Sequence, residues 1–159
     1  MAKKDDKTNA MRLLDQKKIS YEHLSLENAE GLSGEEIASK LSEDPAQAFK
    51  TLVTTGKTGN HYVFVIPVCA ELDLKKAASA VSEKSIEMLK QKDLLPLTGY
   101  VHGGCSPIGM KKFFPTIIDA SAKDFDEIYF SAGKIGHQVK VSVCDIEKII
   151  KVSFVDIKK

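Results

Sequence analysis

Two short helices are predicted within the first forty-one residues from apolar spacing and from capping residues. Thr8 is a suitable N-cap, and the segment after it places Met11 and Leu14 on one helical face. Ser33 and Glu36 have the spacing of a capping box, which predicts a second helix that runs to about residue 41.

Other segments show the two-residue period of β-strands. The runs 48–56 and 61–68 are rich in β-branched and aromatic residues and flank a turn-forming segment, so they predict a hairpin. Further strands are predicted at 20–26, 86–88, 116–119, 127–133 and 138–144. Cys69 and Cys144 belong to apolar strand patterns, and we expect both in the core.

Three more helices are predicted beyond residue 70. The first carries one apolar stripe, formed by Leu74, Ala77, Ala78 and Val81. The second covers about residues 88–95 and is expected to end at Pro96. The third covers residues 145–152 and closes the chain, with Asp145 near its start.

The order of these elements limits the fold. Helices and strands are interspersed without a regular βαβ order, and several links between strands are too short for a crossover helix. We therefore expect a mixed α/β (α+β-like) fold with an antiparallel or mixed sheet. Because no repeat, linker or low-complexity segment is present, we expect one domain over residues 1–159.

Composition limits the classes of partner and the cellular location that we expect. The chain has 159 residues, of which 43% are hydrophobic and 28% charged, and a net charge of +1, so its overall charge indicates neither DNA nor a membrane surface as a partner. The N-terminus lacks the apolar region of a signal peptide, and the longest apolar run, 62–70, is too short to span a bilayer. The three cysteines are odd in number and far apart, which favours free thiols and the cytoplasm.

The stretch GYVHGGCSPIGMKK, residues 99–112, carries the most unusual chemistry. His102 and Cys105 have a spacing seen in metal sites, but no second ligand pair is present. Cys105 is a candidate nucleophile with a histidine as base, although no known signature surrounds it. Gly103 and Gly104 permit positive φ and could offer backbone N–H groups to an anion or a carbonyl oxygen; a plain turn remains an equal alternative.

Several lysines are candidate phosphate ligands. Lys50 begins an apolar strand rather than belonging to a charged run, so it either extends its charge to solvent or stands at the mouth of a pocket. Three further lysines follow glycine-containing turns: Lys111, Lys112 and Lys134. They form either an ordinary solvated surface or a joint phosphate site.

A resemblance carries the analysis further. It rests on a series of motifs in fixed order, KTNAMRLLDQKKISYE, DPAQAFKTLV, ELDLKKAA, KSIEM, TGYVHGGCSPIGMKK, PTIID and IYFSAGKIGHQV. By these motifs the chain resembles the YbaK/EbsC family of Cys-tRNA(Pro) deacylases, which is related to the editing domain of bacterial prolyl-tRNA synthetase. The match covers about residues 7–156. It implies a curved mixed sheet, or partial β-barrel, flanked by helices.

The resemblance also implies an activity. Family members remove a wrongly attached amino acid in trans from the 3′ end of tRNA(Pro), because a synthetase pocket cannot strongly reject an amino acid of nearly the right size. Cys-tRNA(Pro), and also Cys-tRNA(Cys), are the implied substrates, and prolyl-tRNA synthetase is a further implied partner. No cofactor, metal, DNA or membrane partner is implied.

The same resemblance assigns roles to individual residues. The implied catalytic set is Lys50, Gly103, Gly104 and Ser131. The implied substrate-binding set is Thr51, Ser106, Pro107 and Lys134. In these roles Lys50 contacts the terminal adenosine's phosphate or positions the aminoacyl end, and the backbone of Gly103 and Gly104 lines the aminoacyl ester.

Two positions depart from the family pattern. Leu26 stands where some members have a tyrosine that shapes the site, and Ala132 replaces a more usual glycine. The departure at Ala132 is mild, and the one at Leu26 concerns substrate breadth more than activity.

The family mechanism needs no enzyme nucleophile, because the thiol of the substrate cysteine attacks its own ester carbonyl. We therefore expect Cys105 to pack in the core rather than to react. Attack by water, editing of another small amino acid such as alanine, and a non-catalytic module that binds tRNA ends or a synthetase remain open.

Overall fold

The computed structural model describes residues 7–159. The α-helices are α1 (Asn9–Gln16), α2 (Gly34–Lys40), α3 (Leu74–Ala80), α4 (Gln91–Thr98) and α5 (Val143–Ile149), and a 3₁₀ helix covers Ala120–Asp124. The strands are β1 (Tyr21–Ser25), β2 (Phe49–Gly56), β3 (His61–Pro67), β4 (Ile86–Met88), β5 (Thr116–Asp119), β6 (Glu127–Ser131), β7 (His137–Ser142) and β8 (Val152–Val155). Within this range no helix is long and apolar enough to cross a membrane.

The strands form two sheets. The larger has the order β4-β2-β3-β5-β8, in which the β2–β3 hairpin is antiparallel and β3, β5 and β8 run parallel. The smaller has the antiparallel order β1-β7-β6. The predicted mixed α/β fold and the predicted hairpin are therefore confirmed.

The two sheets meet where β6 passes the start of β2. Ala48 forms a parallel β-bridge with Tyr129, whose amide donates to the carbonyl of Gln47 at 3.1 Å. The Gln47 side-chain amide also donates to the carbonyl of Glu127 at 2.8 Å. These bonds fix an edge of the small sheet against β2, and the described strands do not form a closed barrel.

Alternating side chains of β3 supply two separate cores. Val63 and Val65 are fully buried on the face toward α1 and the small sheet, where they share with Leu14 and Phe130 the larger cluster, called the main core. Phe64 is fully buried in the opposite cluster, which α3 covers. Burying each such side chain stabilises the fold by roughly 1.5–3 kcal/mol, so β3 contributes to stability on both faces of the larger sheet.

The predicted helix starts are confirmed by their caps. The Thr8 hydroxyl accepts a hydrogen bond from the Met11 amide at 3.2 Å, and Met11 is buried as expected. Ser33 and Glu36 form both bonds of the capping box, at 3.0 and 3.1 Å.

Two predicted element ends were wrong. Pro96 lies inside α4, which ends at Gly99 in the left-handed conformation, with the Gly99 amide bonded to Leu95 at 2.8 Å. Pro96 is the sixth of the eight residues of α4, so the helix lacks the bond that residue 96 would donate to the carbonyl of Lys92, and it ends two residues later. The closing helix α5 begins at Val143 and is followed by β8, which we did not predict and which pairs with β5.

Three predicted core residues are exposed. Leu74 is the first residue of α3 and is 43% exposed, because the first turn extends beyond the apolar face formed by Ala77 and Ala78. Cys69 follows the end of β3 in a turn, and Cys144 lies in the first turn of α5 rather than in a strand. At both cysteines the strand ends before the residue is reached, whereas Leu74 lies in the predicted helix but off its buried face.

Glu43, after α2, is the most unusual buried group. The residue is 5% exposed, and neither carboxylate oxygen has a hydrogen-bond partner among the described residues. Burial raises the pKa of its carboxyl from 4.5 to about 7. The carboxyl of the unfolded chain ionises above about pH 4.5, whereas that of the folded chain stays protonated until about pH 7, so stability is lost as pH rises through this interval.

We predict that Glu43→Gln removes this pH dependence. Between pH 5 and pH 8 the free energy of unfolding of the wild type should fall by about 2 kcal/mol relative to that of the variant, measured by urea unfolding. Glu87→Gln, which alters an exposed carboxyl in β4, is the control. Equal pH profiles for wild type and Glu43→Gln would contradict the prediction.

Candidate functional site

The candidate site is centred on residues 101–107, called the candidate loop, which lie in the connection between α4 and β5. Gly103 has a φ of +87°, as its sequence context suggested, whereas Gly104 does not adopt positive φ. The Gly104 amide donates to the carbonyl of Val101 at 3.0 Å, which closes a turn. The amide of Gly103 makes no hydrogen bond within the described residues, so it is available to an acceptor on a ligand.

Gly104 is required for a close backbone approach. A Cβ atom there would lie 2.9 Å from the amide nitrogen of Ile135 and 3.1 Å from the carbonyl carbon of Lys134. By contrast, a Cβ atom at Gly103 would meet nothing nearer than a side-chain atom of Ile135 at 3.7 Å. The absent side chain of Gly104 therefore lets the loop pack on the β6–β7 turn.

The β6–β7 turn is held by short-range bonds and by a tyrosine. The Ser131 hydroxyl accepts from the Gly133 amide at 3.1 Å, and the Ala132 amide donates to the His137 carbonyl at 2.9 Å. A Cβ atom at Gly133 would lie 2.7 Å from the ring of Tyr100, so the turn rests directly on that ring. Tyr100 is itself fixed, because its hydroxyl donates to the carbonyl of Ile108 at 2.6 Å.

The two residues that depart from the family pattern both lie in or beside the β6–β7 turn. Ala132 is fully buried in the main core, and its carbonyl accepts a hydrogen bond from the Thr8 hydroxyl, so its methyl group adds nothing to the outer surface of the turn. Leu26 is half-buried, and its amide donates to the carbonyl of Gly136 at 2.8 Å.

Lys50 and Ser131 lie on the same side of adjoining strands. Each follows by two residues one member of the Ala48–Tyr129 parallel bridge, and side chains two residues apart in a strand share a face. Both residues are half-buried, so their polar groups retain access to solvent. The register of this bridge therefore places on one side of the two strands the lysine and the serine that the resemblance singled out.

Thr51 is separated from Lys50 by the strand alternation. It pairs with Val65, on the face of the main core, whereas Lys50 pairs with Ile66, on the opposite face. The Thr51 hydroxyl oxygen is buried without a hydrogen-bond partner among the described residues. The structure therefore does not bring this threonine to the Lys50 side of β2.

Ser106 and Pro107 lie mostly inside the loop. Ser106 is fully buried, and its hydroxyl accepts from the Ile108 amide at 3.4 Å. Pro107 is also buried, although it lines a groove beside α1. Lys134 is exposed at the tip of the β6–β7 turn. Of the four implied substrate-binding residues, only Lys134 presents an exposed side chain.

Gln138 is a site candidate that the sequence did not reveal. It is the antiparallel partner of Ser131, and its side-chain carbonyl oxygen is buried without a partner among the described residues. Its position on the polar face of β7 gave the only signal, and many surface residues share that signal.

Cys105 is packed rather than reactive. The residue is 7% exposed within the main core, and burial raises the pKa of its thiol to about 12. The thiolate is the nucleophilic form, so a thiol that stays protonated near neutral pH is a poor nucleophile. The expectation that Cys105 packs is confirmed. The described residues contain no group of three histidine, cysteine or acidic side chains that could hold a metal ion.

The fold with this loop-and-turn arrangement matches solved structures. A protein described as a candidate trans-editing enzyme for prolyl-tRNA synthetase superimposes with a TM-score of 0.81, at 20% identity over 95% of each chain. A second structure, described only as a hypothetical protein, has a TM-score of 0.85 at 16% identity and covers 96% of this chain and all of its own. These likenesses establish an editing-domain-like fold.

Sequence comparison is more specific. Residues 28–149 match the model of the aminoacyl-tRNA editing domain. The EbsC protein of Enterococcus faecalis, named as a candidate Cys-tRNA(Pro)/Cys-tRNA(Cys) deacylase, is 48% identical over 145 residues, which cover 89% of this chain and 88% of that protein. The chain belongs to the aminoacyl-tRNA editing domain family.

We predict different stability costs for alanine at the two loop glycines. Gly104→Ala should lower the free energy of unfolding by about 2–3 kcal/mol, because the methyl group must displace the backbone of residues 134–135. Gly103→Ala should cost only about 1 kcal/mol, from its positive φ. Urea unfolding measures both, and a cost at Gly104 no larger than that at Gly103 would contradict the packing argument.

Proposed function

We propose that this chain is a trans-editing deacylase that removes cysteine from Cys-tRNA(Pro), with Cys-tRNA(Cys) as a second substrate. The name of the 48% identical relative supports the choice of amino acid and tRNA. The proposed setting is the cytoplasm, with the whole chain acting as one editing domain and prolyl-tRNA synthetase as its partner.

One observation carries the proposal. Lys50 and Ser131 share a side of adjoining strands, and the free amide of Gly103 belongs to the loop that packs on the turn directly after Ser131. A cation, a hydroxyl and a free backbone donor on neighbouring segments suit an ester whose carbonyl gains negative charge and whose alcohol side carries a phosphate.

The proposed reaction uses the substrate's own thiol. Its sulfur attacks the ester carbonyl carbon, a C–S bond forms, and the C–O bond to the tRNA ribose breaks. The thiol proton passes to the ribose oxygen, so the products are free tRNA and a four-membered cysteine thiolactone, which water later opens. A free cysteine thiol has a pKa of about 8.5, so a thiolate fraction exists near neutral pH.

The chain's residues then act by position and charge. The Gly103 amide donates to the carbonyl oxygen as negative charge develops there. Lys50 holds the terminal adenosine's phosphate and so orients the aminoacyl end, and Lys134 adds a second cation. The Gly104 amide has no part in this step, because it already donates to Val101. The protonated, buried Cys105 thiol supports a mechanism without an enzyme nucleophile.

We predict that Lys50→Ala lowers kcat/KM on Cys-tRNA(Pro) at least about 100-fold, because the aminoacyl end loses its positioning cation. Lys57→Ala is the matched control, since Lys57 is exposed in the turn of the same hairpin. Single-turnover release of cysteine from the charged tRNA measures both variants.

Three outcomes of this experiment are informative. Equal rates for Lys50→Ala and wild type would remove Lys50 from the site. Absence of turnover by the wild type on Cys-tRNA(Pro) and Cys-tRNA(Cys) would reject the proposed function. Cleavage restricted to Ala-tRNA(Pro) would instead assign the site to another small amino acid.

A further inference from the structure

A groove of about 450 Å³ lies between α1 and the segment after the candidate loop. Arg12 and Gln16 of α1 form one wall, and Lys112, Phe113 and Phe114 belong to the other. This volume falls in the range of about 300–1,000 Å³ that is typical of small-molecule sites, so the groove can hold about one nucleotide. None of the four implied catalytic residues lines it.

The groove lining is cationic. Arg12 and Lys112 bring two positive charges, and no carboxylate among the described residues lines the groove. Neither cation forms an ion pair with a described acidic side chain; the guanidinium of Arg12 has only a long bond of 3.5 Å, to the side chain of Asn9. Unpaired cations in a concave site favour an anionic ligand, and a phosphodiester in particular.

The groove also presents an aromatic surface. Phe113 is 60% exposed, whereas the ring of neighbouring Phe114 is half-buried and packs edge-on against His61 at 5.8 Å. An exposed aromatic ring beside cations is the combination by which proteins hold single-stranded nucleic acid: bases stack on the ring and phosphates meet the charges.

The groove adjoins the candidate loop. Pro107, the last residue of the candidate loop, contributes to its lining. The wall formed by α1 is fixed to the same unit, because a Cβ atom at Gly109 would lie 3.1 Å from the Ala10 amide nitrogen, and the Thr8 hydroxyl bonds to the carbonyl of Ala132. The α1 wall of the groove is therefore held against the connection that carries the candidate loop and against the β6–β7 turn.

We propose that this groove binds the single-stranded 3′ end of the tRNA, at a nucleotide that precedes the terminal adenosine. The base stacks on Phe113, and Arg12 and Lys112 hold its flanking phosphates. The proposal rests on the proposed function for the identity of the RNA, and it adds a binding surface outside the reacting centre.

The test measures binding rather than turnover. The probe is an uncharged, fluorescein-labelled RNA minihelix that ends in single-stranded CCA, and the readout is fluorescence anisotropy over a range of salt concentrations. We expect Arg12→Ala combined with Lys112→Ala to weaken binding at least about tenfold and to lower the salt slope by about 1.4, since each single-strand phosphate contact contributes about 0.7.

Matched variants separate the groove from general charge effects. Lys57→Ala combined with Lys84→Ala removes the same net charge beside a different pocket and should bind like the wild type. Phe113→Ala should weaken binding, whereas Phe113→Trp, which retains a stacking surface, should not. Circular dichroism of each variant checks that the fold is intact.

The results also distinguish this proposal from the proposed function. Equal affinities for the Arg12/Lys112 and Lys57/Lys84 double variants would overturn the groove proposal, as would a wild type that does not bind the minihelix. A loss confined to binding of purified prolyl-tRNA synthetase would overturn it in favour of a protein partner. A wild type that binds the RNA through the groove but deacylates no substrate would support the groove and refute only the proposed function.

Discussion

The contact between the backbone of Gly104 and that of Lys134 and Ile135 is the constraint on which the candidate site depends. No Cβ atom fits between them, so the loop after α4 and the β6–β7 turn meet at backbone distance. Tyr100 supports both partners, because its ring lies against Gly133 and its hydroxyl donates to the carbonyl of Ile108, the residue after the candidate loop. The candidate loop and the β6–β7 turn thus pack on each other and on Tyr100, which belongs to the main core.

The surface that results is poor in reactive protein groups and rich in positioning groups. The one cysteine in the loop is buried and protonated, and the serine hydroxyl of the same loop is satisfied internally. The accessible groups are the exposed His102, a free amide at Gly103, the half-buried Ser131, and the cations of Lys50 and Lys134. These groups suit the proposed role of orienting and stabilising an ester, with a nucleophile that comes from the substrate or from solvent.

Local signals in the sequence predicted local structure well. The caps of α1 and α2 depend on residues three apart, and the β2–β3 hairpin depends on neighbouring runs, so each was recognisable without the rest of the chain. The predictions that were wrong concern the ends of elements and the contacts that bury them. Leu74 fits an apolar stripe but begins its helix, and β8 exists because β5 offers it a parallel edge.

The candidate site shows the same division. The positive φ of Gly103 follows from glycine itself, and the burial of Cys105 was expected. The role of Gly104 could not be predicted from its neighbours, since the atoms that exclude a side chain there lie thirty residues further along the chain. Likewise, adjacent Lys50 and Thr51 appear as one motif in the sequence, but strand alternation sends them to opposite faces.

The central claim is that the reacting sulfur belongs to the substrate and not to Cys105. The most direct test measures deacylation of Cys-tRNA(Pro) and Ser-tRNA(Pro) by the wild type and by Cys105→Ala. The account predicts that both proteins release cysteine at similar rates and release serine at least about 100-fold more slowly, because a hydroxyl is a far weaker nucleophile than a thiol near neutral pH. Loss of cysteine release in Cys105→Ala, or equal release of serine and cysteine, would contradict it.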